Sequence, residues 1–108
     1  MPSSAMKAIE VDIDVYRERV AGALGVGVSE LVSSRRNEPR MLMTQMVAAH
    51  LLLQGDRLPI GDIARVMDKS EEWARDSTDY IERRVSRYYA FSVYIEKTMA
   101  TYLASARS

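Results

Sequence analysis

After Gly61 the chain contains neither glycine nor proline. Nothing in its C-terminal part enforces a turn, and apolar residues there recur at helical spacing. Ala74, Ser77, Ile81, Val85 and Tyr88 form one stripe, and Ile95, Met99, Tyr102 and Leu103 form another. Upstream the same period returns. Met41, Leu42, Met46, Ala49, Leu52 and Leu53 make the most apolar stretch, from Pro39 to Gln54, and this predicts a central helix. No segment alternates polar and apolar residues as a half-buried strand does. The predicted fold is all-α, a small bundle of five to six helices.

At 108 residues the chain is sized for one domain, and its 47% apolar content supplies a core without staples. With no cysteine there is neither a disulfide framework nor a thiolate metal site. A single histidine, His50, cannot build a histidine-rich metal centre, and its apolar neighbours predict a packed, hydrogen-bonded side chain. No nucleophile elbow, phosphate loop or metal-spaced acidic pair occurs, so no enzyme activity and no cofactor are expected. The first eight residues lack the apolar stretch of a signal peptide, and no apolar run approaches the roughly 20 residues of a spanning helix. A cytoplasmic protein with no membrane partner is expected. Fifteen basic residues against fifteen acidic ones give a formal net charge of zero. Any contact with nucleic acid must then rest on local asymmetry.

Residues 1–10 read as a flexible N-terminus, residues 11–88 as the helical domain, and residues 89–108 as a C-terminal helix that packs on the domain or mediates oligomerisation. A first helix is predicted from Ile13 to Leu24, with Asp12 or Asp14 as its cap and Gly25 and Gly27 as its stop. Ser29 is placed to cap a short helix that turns Leu31 and Val32 inward and ends at Arg35 and Arg36. Pro39 suits a first helical position, and Gly55-Asp56 reads as the end of the central helix. A two-turn helix through Ile60, Ile63, Ala64 and Met67 leads to the turn Asp68-Lys69-Ser70. Ser70 is positioned to cap the next helix, whose Glu71 and Glu72 suit a positive N-terminal end. The last helix is either capped near Ser92 or continuous with the one before it. The pair around Asp68-Lys69-Ser70 has helix-turn-helix geometry.

One segment carries more than a fold. Val28-Ser29-Glu30-Leu31-Val32-Ser33-Ser34-Arg35-Arg36, followed by a long apolar helix and then the helix-turn-helix pair, resembles the C-terminal DNA-binding domain of the bacterial replication initiator DnaA. The similarity covers Ile13 to Val85. Gln45-Met46 matches the glutamine of the family's Ala-Arg-Gln helix, with Met43-Thr44 in place of Ala-Arg. Asp68-Lys69-Ser70-Glu71-Glu72-Trp73-Ala74 stands where the family reads its site with Gly-Gly-Arg-Asp-His-Thr-Thr-Val. The resemblance implies a Trp-repressor-like helix-turn-helix domain whose partner is double-stranded DNA. It carries the contact residues Arg35, Arg36, Lys69, Ser70 and Trp73 over to this chain, and Arg40 joins the arginine pair in a basic loop, opposed only by Glu38, that is placed to contact phosphate or enter a minor groove. For a free-standing domain, the resemblance implies a regulator of replication or transcription that acts by occupying DNA or competing for a partner. Glu71 and Glu72, where the family approaches base edges, imply an altered sequence preference.

Each feature also has a structural reading. Arg35 and Arg36 suit a helix C-terminus as caps, and Trp73 either projects outward or lies partly in the core. Tyr88, Tyr89, Phe91, Tyr94 and Tyr102 concentrate the aromatics in the C-terminal stretch. They serve either as packing or, through Tyr88, Tyr89 and Tyr94, as a homodimer or partner surface. The alternative function is therefore a protein-protein interaction module that kept the fold and lost DNA readout.

Overall fold

The computed structural model describes residues 12–34 and 38–105, and the N-terminal segment read as loose lies outside them. Six helices occur among the described residues: α1 (Ile13–Leu24), α2 (Val28–Leu31), α3 (Pro39–Asp56), α4 (Ile60–Met67), α5 (Glu71–Arg87) and α6 (Tyr89–Ser105). No strand occurs among these residues. The protein is an all-α bundle, with a three-residue turn between α4 and α5.

Local chemistry sets most helix ends. Asp12 accepts a hydrogen bond from the Val15 N–H, and Gly25 closes α1 at φ 70°, a left-handed conformation that glycine adopts without a Cβ penalty. Pro39 begins α3 and Ser70 caps α5 by accepting from the Trp73 N–H at 3.0 Å. Three expectations are corrected. Gly27, not Ser29, precedes α2, because the Glu30 carboxylate reaches back to the Gly27 N–H at 3.0 Å and starts the helix two residues earlier. The central helix runs through Gly55 to Asp56 and stops at Arg57, which takes the left-handed conformation at φ 55°. Between α5 and α6 the break falls at Tyr88, with φ −123° and ψ 112°, and Ser92 lies inside the last helix.

α3 packs against every other helix, and its residues 45, 47, 48, 49, 50, 51 and 52 are all buried, as a helix surrounded on all sides requires. Its first two turns extend past this enclosure: Leu42, expected inside, is 49% exposed. Val20, Leu31, Leu51, Leu52, Ile63, Val66, Met67, Ile81 and Tyr102 fill the centre.

Two arginines of α1 fasten distant helices to this core. Arg17 donates from Nε to the Val66 carbonyl at 2.7 Å and from Nη2 to the Arg65 carbonyl at 3.0 Å, closing the C-terminal end of α4. Arg19 reaches Asp56 at 3.4 Å, and the same carboxylate accepts from the Tyr102 hydroxyl. One carboxylate thereby ties α1, α3 and α6 together. The Tyr102 ring also explains the glycine inside α3, since a Cβ at Gly55 would lie 3.0 Å from Tyr102 Cε2. No helix among the described residues is long and apolar enough to cross a membrane.

Candidate nucleic-acid interface

The α4–α5 pair forms because α4 carries Ile63, Ala64, Val66 and Met67 inward, and Asp68 then reverses the chain in a left-handed conformation at φ 55°. Ser70 starts α5, whose Ala74, Ser77, Thr78 and Ile81 face the core. The turn between them does more than connect. Lys69 Nζ donates to the Ser33 carbonyl at 2.9 Å, across 36 residues of sequence. Gln45, 3% exposed on α3, donates from Nε2 to the same carbonyl at 2.9 Å and to the Glu30 carbonyl at 3.4 Å.

Two side chains thus converge on the end of α2 and hold it against both the central helix and the helix-turn-helix turn. Arg35 and Arg36 lie outside the described residues. The fixed backbone at Ser33 is two residues before them in sequence. Arg40, exposed in the first turn of α3, sits at the positive end of that helix and has no ion-pair partner among the described residues. A cation there is unfavourably placed with respect to the helix dipole, and an anion bound beside it would relieve this.

The other expected contacts divide. Lys69 is half-buried and its ammonium is engaged at Ser33; Ser70 uses its hydroxyl as the α5 cap. Trp73 is half-buried, packed against the core on one side. On its other side it lines a cleft of about 590 Å³ between α3 and α5, with Pro39, Leu42, Met43, Met46 and Tyr80. The residues of this cleft other than Trp73 were not legible as a site. Leu42, Met43 and Met46 have the spacing of core residues, and nothing in sequence tells that α3 extends beyond its neighbours there.

The exposed surface of α5 is electrostatically divided. Glu71, Glu72, Asp76, Asp79 and Glu82 oppose only Arg75 over its first two thirds, and Arg83, Arg84 and Arg87 follow. Carboxylates in its first turn suit the helix dipole but repel a phosphate backbone.

His50 is 6% exposed, and its Nδ1 is buried with no hydrogen-bond partner. The expectation of a packed histidine holds, and that of a hydrogen bond fails at this nitrogen, which the fold buries without a partner. Burial pushes its pKa below the ordinary 6.5, against the opposing charge of Glu82. The unfolded chain then binds the proton more tightly, so the stability from a neutral His50 is complete above the unfolded pKa. It declines as pH falls through and below 6.5. His50→Leu is expected to flatten this part of the stability profile while leaving stability near pH 7 within about 1 kcal/mol of the parent, since it removes an unpaired buried atom. Urea unfolding at about pH 7 and pH 5.5, above the range of ordinary carboxylates, checks this.

No group of three or more Asp, Glu or His side chains arranged to hold a metal ion occurs among the described residues. No protein-family model, curated protein or solved structure gives a significant match to this chain.

Proposed function

We propose that this chain binds double-stranded DNA in the cytoplasm and acts as a regulator of replication or transcription with its own sequence preference. α5 approaches the major groove while Arg35, Arg36 and Arg40 contact the phosphate backbone. The reading is supported above all by the shared Ser33 carbonyl. Gln45 and Lys69 both donate to it, so the backbone two residues before the arginine pair is tied to the turn between α4 and α5. The activity calls for neither a cofactor nor a catalytic residue. Altered preference follows from Glu71 and Glu72, which can accept hydrogen bonds from cytosine N4 but cannot donate to purine acceptors.

The test is fluorescence anisotropy of a mixed-sequence duplex and of a duplex bearing the DnaA target, at low and near-physiological salt. Affinity for both is expected to fall steeply with salt. Replacing Arg35 and Arg36 together by alanine should flatten the log-log salt slope by about 2, the value for two lost phosphate contacts. Absence of binding at low salt would overturn the reading.

A second reading, an interaction module that has lost DNA readout, is favoured by the apolar cleft beside Trp73 and by the exposure of the aromatic tail. Tyr89 is 84% exposed, Tyr88 55% and Tyr94 47%. Under it, Tyr89→Ala or Tyr94→Ala shifts the oligomeric or partner equilibrium and salt has little effect. Sedimentation or elution that is unchanged in both variants counts against it.

A further inference from the structure

The C-terminal end of α5 holds a concentration of positive charge that neither the resemblance nor the helix-turn-helix geometry accounts for. Tyr80, Arg83, Arg84, Arg87 and Tyr88 line a cleft of about 210 Å³, far above the roughly 10–15 Å³ that a single water needs. Three guanidiniums and two phenols face it, and no carboxylate does. None of the three arginines has an ion-pair partner among the described residues. Asp79 and Glu82 border a separate cleft that Arg83 and Arg87 share.

Arg84 is held in place in advance. Its guanidinium stacks over the Tyr88 ring at 5.1–5.3 Å together with the Phe91 ring, and Nη1 donates to the Tyr80 hydroxyl at 3.2 Å. That hydroxyl keeps its own hydrogen for donation. The Arg84 Nε is buried and has no protein partner. Arg83 and Arg87 are exposed one turn apart on the same helix, a spacing that lets two planar forks reach one oxyanion.

Cations also suit a helix C-terminus, and that explains part of the cluster. The helix end carries only about half a negative charge, however, against three arginines. Asp79 and Glu82 offset part of this charge from the neighbouring cleft, but the lining of this one holds only guanidiniums and phenols, which favours a bound anion.

We infer that the cleft formed by Tyr80, Arg83, Arg84, Arg87 and Tyr88 is a phosphate-binding site. The tetrahedral oxyanion would be held by guanidinium forks and the Tyr80 hydroxyl. Only the source of the phosphate rests on the DNA reading: a backbone phosphate of bound DNA reaches this end of α5, which is basic where its beginning is acidic.

The experiment follows the arginine Nε–Hε resonances of the whole chain by NMR during titration with inorganic phosphate, with sodium chloride at matched ionic strength as control. Saturable shifts of Arg84 and Arg87 with phosphate in the parent, with the Arg84 shift lost in Arg83→Ala/Arg87→Ala, support the site. No phosphate-specific shift in the parent chain overturns it, whatever the chain does with DNA. The variant spares Arg84, so the α5–α6 junction stays pinned, and circular dichroism checks its fold. A second arm distinguishes the sources. If DNA binds and the variant flattens the salt slope by about 2, the phosphate is the duplex backbone. If phosphate shifts the resonances and the DNA slope is unchanged, the site takes free phosphate and the backbone assignment falls.

Discussion

Tyr102→Ala is expected to lower stability by about 3–5 kcal/mol, the range for truncating a large buried aromatic, out of the roughly 5–15 kcal/mol that a domain possesses. Tyr102 is the bulkiest fully buried side chain, with 0% exposure, and it does three things at once. Its ring fills the space above Gly55, where nothing but a hydrogen projects from α3. Its hydroxyl donates to Asp56, and through that carboxylate it is joined to Arg19 of α1. Burial together with the bond to Asp56 pushes its phenol pKa well above the ordinary range, so the hydroxyl remains a donor at any working pH. Removing the ring leaves a cavity and a carboxylate that has lost one of its two partners. Tyr102→Phe separates the terms: packing survives, and the loss should be about 1–3 kcal/mol, as for a hydrogen bond to a charged group. Urea denaturation of the three proteins checks both values. An alanine variant as stable as the phenylalanine variant would mean that α6 contributes little to the core.

The helical period, the caps at Asp12 and Ser70 and the first position of Pro39 were legible in the sequence because they are local. Each depends on residues within one turn of one another. Gly55 was misleading for a tertiary reason. Glycine next to aspartate reads as a break, yet here its missing Cβ makes room for a ring 47 residues away in sequence, and the helix continues. Arg57, which carries no turn signature, takes the left-handed position instead. The same limit applied at Tyr88: an extended residue between two helices, with no glycine or proline near it, is set by how α5 and α6 pack. Leu42 was expected inside because its spacing is that of a core residue. Only the relative lengths of neighbouring helices decide whether a stripe is covered along its whole extent. The arginines of α5 carry no local signature of a site, since stacking on Tyr88 and Phe91 needs the break between helices to exist first.

Lys69 shows how a candidate site changes meaning once its partner is visible. As a basic residue in a helix-turn-helix turn it was expected to meet DNA. Its ammonium instead helps hold the end of α2, with Gln45 on the other side. Under the proposed DNA binding, both residues act by positioning others.

Under the proposed DNA binding, Gln45→Leu is expected to weaken affinity on the order of tenfold although Gln45 is 3% exposed and touches no surface. The substitution preserves volume and removes donors to the Glu30 and Ser33 carbonyls, at a cost of about 1–2 kcal/mol for two modest hydrogen bonds. The chain should stay folded at 25 °C. What it loses is the rigid support of the segment that leads to Arg35 and Arg36. Fixing a backbone residue costs about 1–2 kcal/mol, and a variant that must order even one such residue on binding loses about a tenfold factor. The number of phosphates contacted does not change, so the salt slope should remain that of the parent. Arg35→Ala with Arg36→Ala behaves oppositely and flattens the slope by about 2. The two signatures separate positioning from contact, and salt-dependent anisotropy reads both. Parent affinity in Gln45→Leu would show that the anchoring of α2 serves only the fold, whereas a flattened slope would show that the arginine segment no longer reaches the duplex at all.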